Sequence, residues 1–312
     1  MHNARMSHSR QVLSERAACF VQAYAKINLT LEVLKRRADG YHTLSTVMQT
    51  VDLYDTLFLF TLDEDEVRIT CSRPELGNEE NLAVRAARLL RARYAVRQGV
   101  EIELHKRIPV AAGLGGGSSD AAAVLRALSQ LWQLPVTPGD LGEMAASLGS
   151  DVPFFLTGGL ALCEGRGEIV TPLAPGWLSS MRWLLLLKPA IEVSTVSIFR
   201  RVAARDYTDG AASRAVVAAL QAGSEPRAED LHNGLERTVL ELHPEVARAR
   251  ADLLAAGCPV VRLSGSGPTL YAPFATLSRA GMVQESMQAQ GYEVYLSRAI
   301  YPDMGPVNVM YK

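Results

Sequence analysis

One eight-residue segment constrains the fold of this chain more than any other: Gly113-Leu114-Gly115-Gly116-Gly117-Ser118-Ser119-Asp120. Before it, apolar and polar residues alternate, which predicts a strand over about 100–105. After it, apolar side chains recur at helical spacing, at Ala121, Leu125, Leu128 and Trp132. Four glycines in five residues allow backbone conformations that other residues avoid. We therefore predict a strand, a tight glycine loop and a helix in direct succession.

This succession is typical of a phosphate-binding site. The free N–H groups and the positive dipole end of the following helix attract anions, and glycine lets the backbone approach them closely. Ser118 and Ser119 could add hydroxyl contacts to a phosphate or to a hydrated Mg²⁺. The segment has no Gly-Lys-Ser/Thr sequence, so it is not a Walker loop, and it does not match GxGxxG. The alternative is a serine-capped flexible turn, which the strand before and the helix after disfavour.

Four other patterns could carry chemistry: Lys26 with Asn28, the run Asp39-Gly40-Tyr41-His42, Asp151, and the loop Ser264-Gly265-Ser266-Gly267-Pro268. Lys26 and Asn28 fall on the polar face of an alternating segment, which predicts a half-buried strand. Asp151 follows a helix that we expect to begin after Thr137 and to stop near Gly149 in a left-handed conformation. Each pattern alone also fits a structural role, such as a solvated lysine, a capping aspartate or a tight turn.

Composition excludes some classes of protein. The chain has 312 residues, with 32 Lys and Arg against 33 Asp and Glu, which disfavours a nucleic-acid partner. The longest purely aliphatic run is far shorter than the ~20 residues that a membrane span needs. Four scattered cysteines indicate a reduced, cytoplasmic protein. The six histidines show no metal-ligand spacing.

The length favours two compact domains. Residues 1–18 are polar and lack an apolar signal core, which predicts a disordered tail, with a short transit peptide as the alternative. We assign residues 19–176 to a first domain and 177–312 to a second. In the second half, predicted helices over 195–203, 212–222, 229–240 and 245–256 precede a β-β-α-β ending. This order predicts an α+β sandwich with its helices on one side of a sheet.

The order of these motifs resembles the GHMP kinase superfamily over about residues 20–300. The motifs are Ala25-Lys26-Ile27-Asn28-Leu29, Asp39-Gly40-Tyr41-His42, the glycine segment, Gly149-Ser150-Asp151-Val152-Pro153-Phe154 and Leu263-Ser264-Gly265-Ser266-Gly267. The resemblance implies a first domain like the second domain of ribosomal protein S5 and a ferredoxin-like second domain, with the site between them. The first two motifs resemble those of one branch of the superfamily, the kinases whose acceptor substrate is 4-diphosphocytidyl-2-C-methyl-D-erythritol. That branch uses ATP and Mg²⁺ to phosphorylate the acceptor's 2-hydroxyl in the non-mevalonate route to isoprenoid precursors.

The resemblance also implies residue roles. Lys26 and Asp151 correspond to the catalytic pair. The ATP-binding positions are Asn81, Lys106, Pro109, Gly113, Leu114, Gly115, Gly116, Gly117, Ser118 and Ser119, with Lys106 near the adenine. The acceptor positions are Asn28, Tyr41, His42, Thr195, Gly265 and Ser266, with Tyr41 and His42 at the cytidine end. No membrane or nucleic-acid partner is implied, and we expect a monomer or a weak homodimer.

Two departures from the family pattern concern loop shape. Lys35 stands where the family often has glycine. Ala111-Ala112 stands directly before the glycine segment, where the family has a more glycine-rich sequence. Three alternatives stay open at this point. The chain could phosphorylate another small alcohol, although the Asp39-Gly40-Tyr41-His42 run disfavours this. It could be a nucleotide-binding regulator without catalysis, although Lys26 and Asp151 are both present. An RNA-binding protein is suggested only by the S5-like fold, and fold alone does not give function.

Overall fold

The computed structural model describes residues 17–174, 181–302, 304 and 309–311. The predicted tail lies mostly outside these residues, and the first strand already begins at Ala17, so the last two residues of the expected tail belong to this strand. The predicted domain boundary near 176 also lies outside the described residues. In the described part of the chain, no helix is long and apolar enough to cross a membrane.

The first domain is built on a seven-stranded sheet. Its strands are β1 (Ala17–Arg36), β2 (His42–Leu62), β3 (Val67–Cys71), β4 (Gly99–His105), β5 (Leu160–Gly165), β6 (Ile169–Pro172) and β11 (Val309–Tyr311). The order is β11-β1-β2-β4-β3, and β5 pairs with both β2 and β6. Four helices belong to this domain: α1 (Leu82–Tyr94), α2 (Gly116–Leu131), α3 (Pro138–Leu148) and α4 (Val152–Thr157). Alanine-rich α1 and α2 pack closely together on the sheet, since their small buried side chains permit a close approach.

The second domain has an antiparallel four-stranded sheet. Its strands are β7 (Trp183–Lys188), β8 (Arg262–Leu263), β9 (Leu270–Phe274) and β10 (Glu293–Ser297). The spatial order β10-β7-β9-β8 gives the 4-1-3-2 arrangement of a ferredoxin-like sheet, which confirms the predicted fold class. The helices are α5 (Thr195–Phe199), α6 (Ala211–Gln221), α7 (Glu236–Leu242), α8 (Pro244–Ala255) and α9 (Leu277–Ala289).

The start of one predicted helix is wrong for an identifiable reason. The helix expected over 229–240 begins only at Glu236, because the segment before it pairs with β1. Leu31 donates its N–H to His232 O at 2.7 Å and accepts the N–H of Gly234 at 2.7 Å. The strand β11 lies within 177–312, the range that we assign to the second domain, and it pairs with the start of β1 in the first sheet.

The hairpin of β1 and β2 joins the two domains. Its two strands have 20 and 21 residues, and register shifts occur beside Ala25, Thr30 and Lys35. The far end of the hairpin carries Leu31, Val33 and Leu44 into the apolar core of the second domain. Both faces of β1 are therefore buried over residues 25–33, which corrects the expectation of a half-buried strand.

Candidate active site

A cleft of about 870 Å³ lies where the two domains meet. The predicted site residues line it, with two exceptions: Leu114 and Ser119 are buried beneath the loop. Sequence reasoning missed several lining residues, among them Arg36, Arg166, Phe199 and Arg200. Arg166 carried a local signal, since Gly165 and Gly167 flank it and glycine is typical of turns. The others could not be placed in the cleft before the tertiary fold was known.

The glycine segment forms one wall of the cleft, and α2 begins inside it. Helix α2 starts at Gly116 with Gly115 as its N-cap, so Ser118, Ser119 and Asp120 lie in the helix rather than in a loop before it. Gly113 and Gly115 both have φ of 74°, a left-handed value that strongly favours glycine. The first N–H groups of α2 have no helical partner and are available to bind an anion at this end of the helix.

Lys26 lies on the floor of the cleft and has almost no exposed surface. Its ammonium donates to Asn28 Oδ1 at 2.6 Å and to the carbonyl of Gly113 at 2.9 Å. The Asp151 carboxylate lies 3.8 Å away and completes the surroundings of the ammonium. Burial lowers the pKa of Lys26, and the negative charge of Asp151 opposes that shift. The lysine is therefore a buried cation held by oxygen atoms.

Asp151 is placed by the junction between two helices. The predicted cap of α3 is confirmed: Thr137 and Asp140 form a reciprocal capping box. Gly149 ends α3 in an extended conformation, with φ of 173°, and not in the left-handed conformation that we expected. Asp151 then occupies the N-cap of α4, but its side chain makes no capping hydrogen bond. With 34% of its side chain exposed, this carboxylate can meet a ligand in the cleft.

Tyr41 and His42 stand on the far side of the cleft from the glycine segment. His42 is buried, and its ring centroid lies 5.6 Å from that of Phe199. Burial lowers the pKa of His42, and the nearby Arg36 lowers it further. Within the described part of the chain, His42 Nε2 has no hydrogen-bond partner. Tyr41 is 54% exposed, and the Arg166 guanidinium lies 5.1 Å from the centroid of its ring.

The second domain closes the cleft with a glycine loop of its own. Ser264 Oγ donates to the Gly113 carbonyl at 3.0 Å, so the two glycine loops are in direct contact. A Cβ atom on Gly113 would lie 2.2 Å from Ser264 O, which leaves no room for another residue. Thr195 and Ser266 share a hydrogen bond of 2.7 Å beside this contact. The residues predicted from distant parts of the chain therefore meet at one place.

Asn81 and Lys106 line the cleft at the end where we predict the nucleotide, and both side chains already have protein partners. Asn81 caps α1, accepting the N–H of Ala83 at 2.9 Å and donating to Leu76 O at 2.8 Å. The Lys106 ammonium is bound between the carboxylates of Asp55 and Asp120. Burial raises the pKa of Asp120 to about 7, although Lys106 opposes the shift. A role for Asn81 or Lys106 toward the nucleotide stays a prediction.

This fold and cleft define the chain as a small-molecule kinase of the GHMP type. Residues 81–159 match the model of the GHMP kinases N terminal domain, and residues 216–293 match that of the GHMP kinases C terminal. A homoserine kinase from Cytophaga hutchinsonii has the same fold at 21% identity, with a TM-score of 0.71 over 99% of this chain and 100% of its own.

Closer relatives define the family. A 4-diphosphocytidyl-2-C-methyl-D-erythritol kinase from Brevibacillus brevis is 38% identical over 92% of this chain and 98% of its own length. One from Bacillus subtilis is 39% identical over 89% of this chain and 96% of its own. A crystal structure of 4-(cytidine 5'-diphospho)-2C-methyl-D-erythritol kinase superposes with a TM-score of 0.75 at 35% identity, covering 89% of this chain and 98% of that one. The chain belongs to the 4-diphosphocytidyl-2-C-methyl-D-erythritol kinase family.

Proposed function

We propose that this protein transfers the γ-phosphoryl group of ATP to the 2-hydroxyl of 4-diphosphocytidyl-2-C-methyl-D-erythritol. The products are the 2-phosphate and ADP, in the non-mevalonate route to isoprenoid precursors. One observation carries the proposal: the buried Lys26 and the partly exposed Asp151 lie in the same cleft as the N-terminus of α2. The same cleft is also lined by the side chains of Tyr41 and His42. Family membership supports the same reaction.

In this proposal, the glycine segment binds the nucleotide. The triphosphate would lie against the N-terminus of α2, where N–H groups and the helix dipole stabilise negative charge. Phosphoryl transfer asks a protein mainly for positioning and charge stabilisation. Gly113 and Gly115 keep this surface free of side chains. Ser118 lines the cleft within the first turn of α2 and offers a hydroxyl to the phosphates.

Lys26 and Asp151 act on the acceptor. Asp151 would accept the proton of the 2-hydroxyl as the new bond forms between that oxygen and the γ-phosphorus. The bond from the γ-phosphorus to the bridging oxygen breaks, and ADP leaves. Lys26 would stabilise the developing charge on the attacking oxygen. The Lys26 ammonium has three N–H donors: two bind Asn28 Oδ1 and the Gly113 carbonyl, and the third is available toward Asp151.

The cytidine end of the acceptor would lie against Tyr41 and His42. A neutral imidazole matches a base edge because one ring nitrogen donates and the other accepts. The lowered pKa of His42 keeps that ring neutral at pH 7, and its Nε2 atom has no partner among the described residues. The exposed ring of Tyr41 offers a stacking face.

Magnesium belongs to this proposal as the ion that accompanies ATP. Mg²⁺ prefers oxygen ligands and keeps several waters, and it is usually held by phosphates with one or two protein groups. The donors at this cleft fit that chemistry, since Ser118 and Asp151 both line it with oxygen atoms. When bound, the ion neutralises charge on the phosphates.

We place the enzyme in the cytoplasm, where its four free cysteines would stay reduced.

An ADP-release assay with Mg-ATP tests the proposal. The acceptor would be compared with mevalonate, homoserine and galactose at equal concentrations. We expect turnover with the cytidylylated acceptor alone. Turnover with another alcohol would contradict the acceptor assignment, and ATP binding without turnover on any of the four would favour a regulatory protein.

A further inference from the structure

Three buried charges lie beneath the nucleotide end of the cleft. The ammonium of Lys106 contacts Asp55 Oδ2 and lies 2.7 Å from Asp120 Oδ2, and all three side chains are almost wholly buried. Removing such groups from water costs several kcal/mol per ion, so a buried ion pair is weak evidence for a gain in stability. We call these residues the Asp55–Lys106–Asp120 triad.

The triad connects the two ends of the glycine segment. Lys106 lies before that segment, and Asp120 is its last residue and belongs to α2. A Cβ atom on Gly116 would lie only 3.2 Å from the Lys106 ammonium, so the lysine sits immediately below the start of α2. The cation therefore links the strand that leads into the glycine segment to the helix that leaves it.

Asp55 fixes the same region through the backbone. Its Oδ1 atom accepts the N–H of Arg107 at 2.5 Å and the N–H of Ile108 at 2.8 Å. These residues precede Pro109, where the chain turns toward the glycines. One oxygen of the Asp55 carboxylate thus binds the backbone just before Pro109, and the other oxygen binds the Lys106 ammonium.

We propose that Asp55 is a positioning residue for the nucleotide: acting through Lys106 and Asp120, it sets the spacing between the glycine segment and the N-terminus of α2. The proposal rests on the proposed function, in which that surface binds the triphosphate. Two carboxyl groups face one ammonium, so the positive charge of Lys106 is already paired inside the protein. Phosphate affinity would then depend on the shape that the triad maintains.

Binding measurements separate this role from a general structural one. Asp55→Asn keeps an oxygen for the two backbone N–H groups, but its amide group would meet the Lys106 ammonium donor to donor. By isothermal titration calorimetry, we expect the Kd for Mg-ATP to rise tenfold or more in this variant. The Kd for the acceptor, measured without nucleotide, should change less than twofold.

The chain offers matched controls. Asp120→Asn keeps an oxygen for Lys106 and should stay within threefold of the wild-type Kd for Mg-ATP, whereas Asp120→Leu removes that acceptor and should match Asp55→Asn. Asp52 lies on the same strand and also accepts several hydrogen bonds, but from Ser297 and Arg298, away from the cleft. Asp52→Asn should leave both Kd values unchanged.

Unchanged Mg-ATP affinity in Asp55→Asn, with only a lower Tm, would overturn the proposal, as would equal weakening of both ligands. If Asp55→Asn does not fold, the pair Asp120→Asn and Asp120→Leu decides, and equal affinities in that pair would overturn it too. Failure of the proposed function is a separate result, because it would show as a wild-type protein that binds no Mg-ATP or does not phosphorylate the acceptor.

Discussion

Lys26 Nζ lies 3.8 Å from Asp151 Oδ2, and the lysine is buried whereas the aspartate is one-third exposed. This asymmetry is the reason for proposing different roles for the two charged groups. The lysine is fixed by Asn28 and Gly113, so it can stabilise charge but has little freedom to move. The aspartate faces the cleft and can contact the reacting hydroxyl.

Replacing the aspartate should separate binding from chemistry. Asp151→Asn keeps the shape of the side chain but cannot accept the hydroxyl proton. We expect turnover to fall by ~10³ or more, which corresponds to about 4 kcal/mol of activation barrier. The Kd for ATP should stay close to that of the wild type. Steady-state kinetics with calorimetry check both, and wild-type turnover in this variant would rule out the assigned role.

Lys26→Ala should also abolish most turnover. The variant would lack the ammonium that we propose stabilises the charge developing on the attacking oxygen. The far-ultraviolet circular dichroism spectrum should match that of the wild type, since the side chain is not part of an apolar core. A variant with an unchanged spectrum and normal turnover would show that the buried cation is not needed for the reaction.

His42→Ala should act on one substrate only. His42 lines the cleft, and its Nε2 atom has no partner among the described residues, so its loss should raise the KM for the cytidylylated acceptor about tenfold or more. The KM for ATP should change little. Equal losses for both substrates would show that His42 supports the cleft as a whole rather than the cytidine pocket.

Gly113→Ala should disrupt the contact between the two glycine loops. The added Cβ would collide with Ser264 O, and a φ of 74° strains any residue with a side chain. We expect a lower Tm together with weaker ATP binding. Gly142→Ala is the matched control, since it lies inside α3 with nothing within 4 Å of the new atom. It should stabilise the protein by ~0.5–1 kcal/mol. Similar effects of the two substitutions would contradict this account of the loops.

The raised pKa of Asp120 makes stability depend on pH. Its value rises from 3.8 to about 7 on folding, so the folded protein binds this proton more tightly than the unfolded chain. This group should therefore lower the free energy of unfolding as pH rises from about 4 to about 7. Asp120→Asn removes this contribution. Urea unfolding between about pH 4 and pH 7 should show a free energy of unfolding that falls more steeply with pH in the wild type than in Asp120→Asn. Parallel curves for the two proteins would contradict the raised pKa of Asp120.

Several features of the fold and the site follow from local sequence. The glycine segment predicts the strand, the turn and the helix because conformational freedom and helical spacing are local properties. The capping box of Thr137 and Asp140 is equally local. Within the glycine segment, the start of α2 was misplaced, since the first turn of this helix is made of glycine and serine, which are poor helix formers and gave no helical signal.

Other features depend on contacts that no local pattern contains. The polar face of β1 is buried because α6 covers it: Thr30 shares a hydrogen bond of 2.8 Å with Ser213, and Glu32 accepts the Ser213 N–H at 2.8 Å. These partners are more than 180 residues apart. Lys106 likewise meets Asp55 from a different strand. Such contacts require the tertiary fold, so the sequence could identify Lys106 but not the surroundings of its charge.

The most direct test of the central claim follows the phosphoryl group itself. ATP labelled in its γ-phosphoryl group would be incubated with the enzyme and 4-diphosphocytidyl-2-C-methyl-D-erythritol, and the products separated and analysed by ³¹P NMR and mass spectrometry. We predict one labelled phosphoryl group on the 2-hydroxyl of the acceptor for each ADP formed. Label recovered as inorganic phosphate, with an unmodified acceptor, would contradict the account.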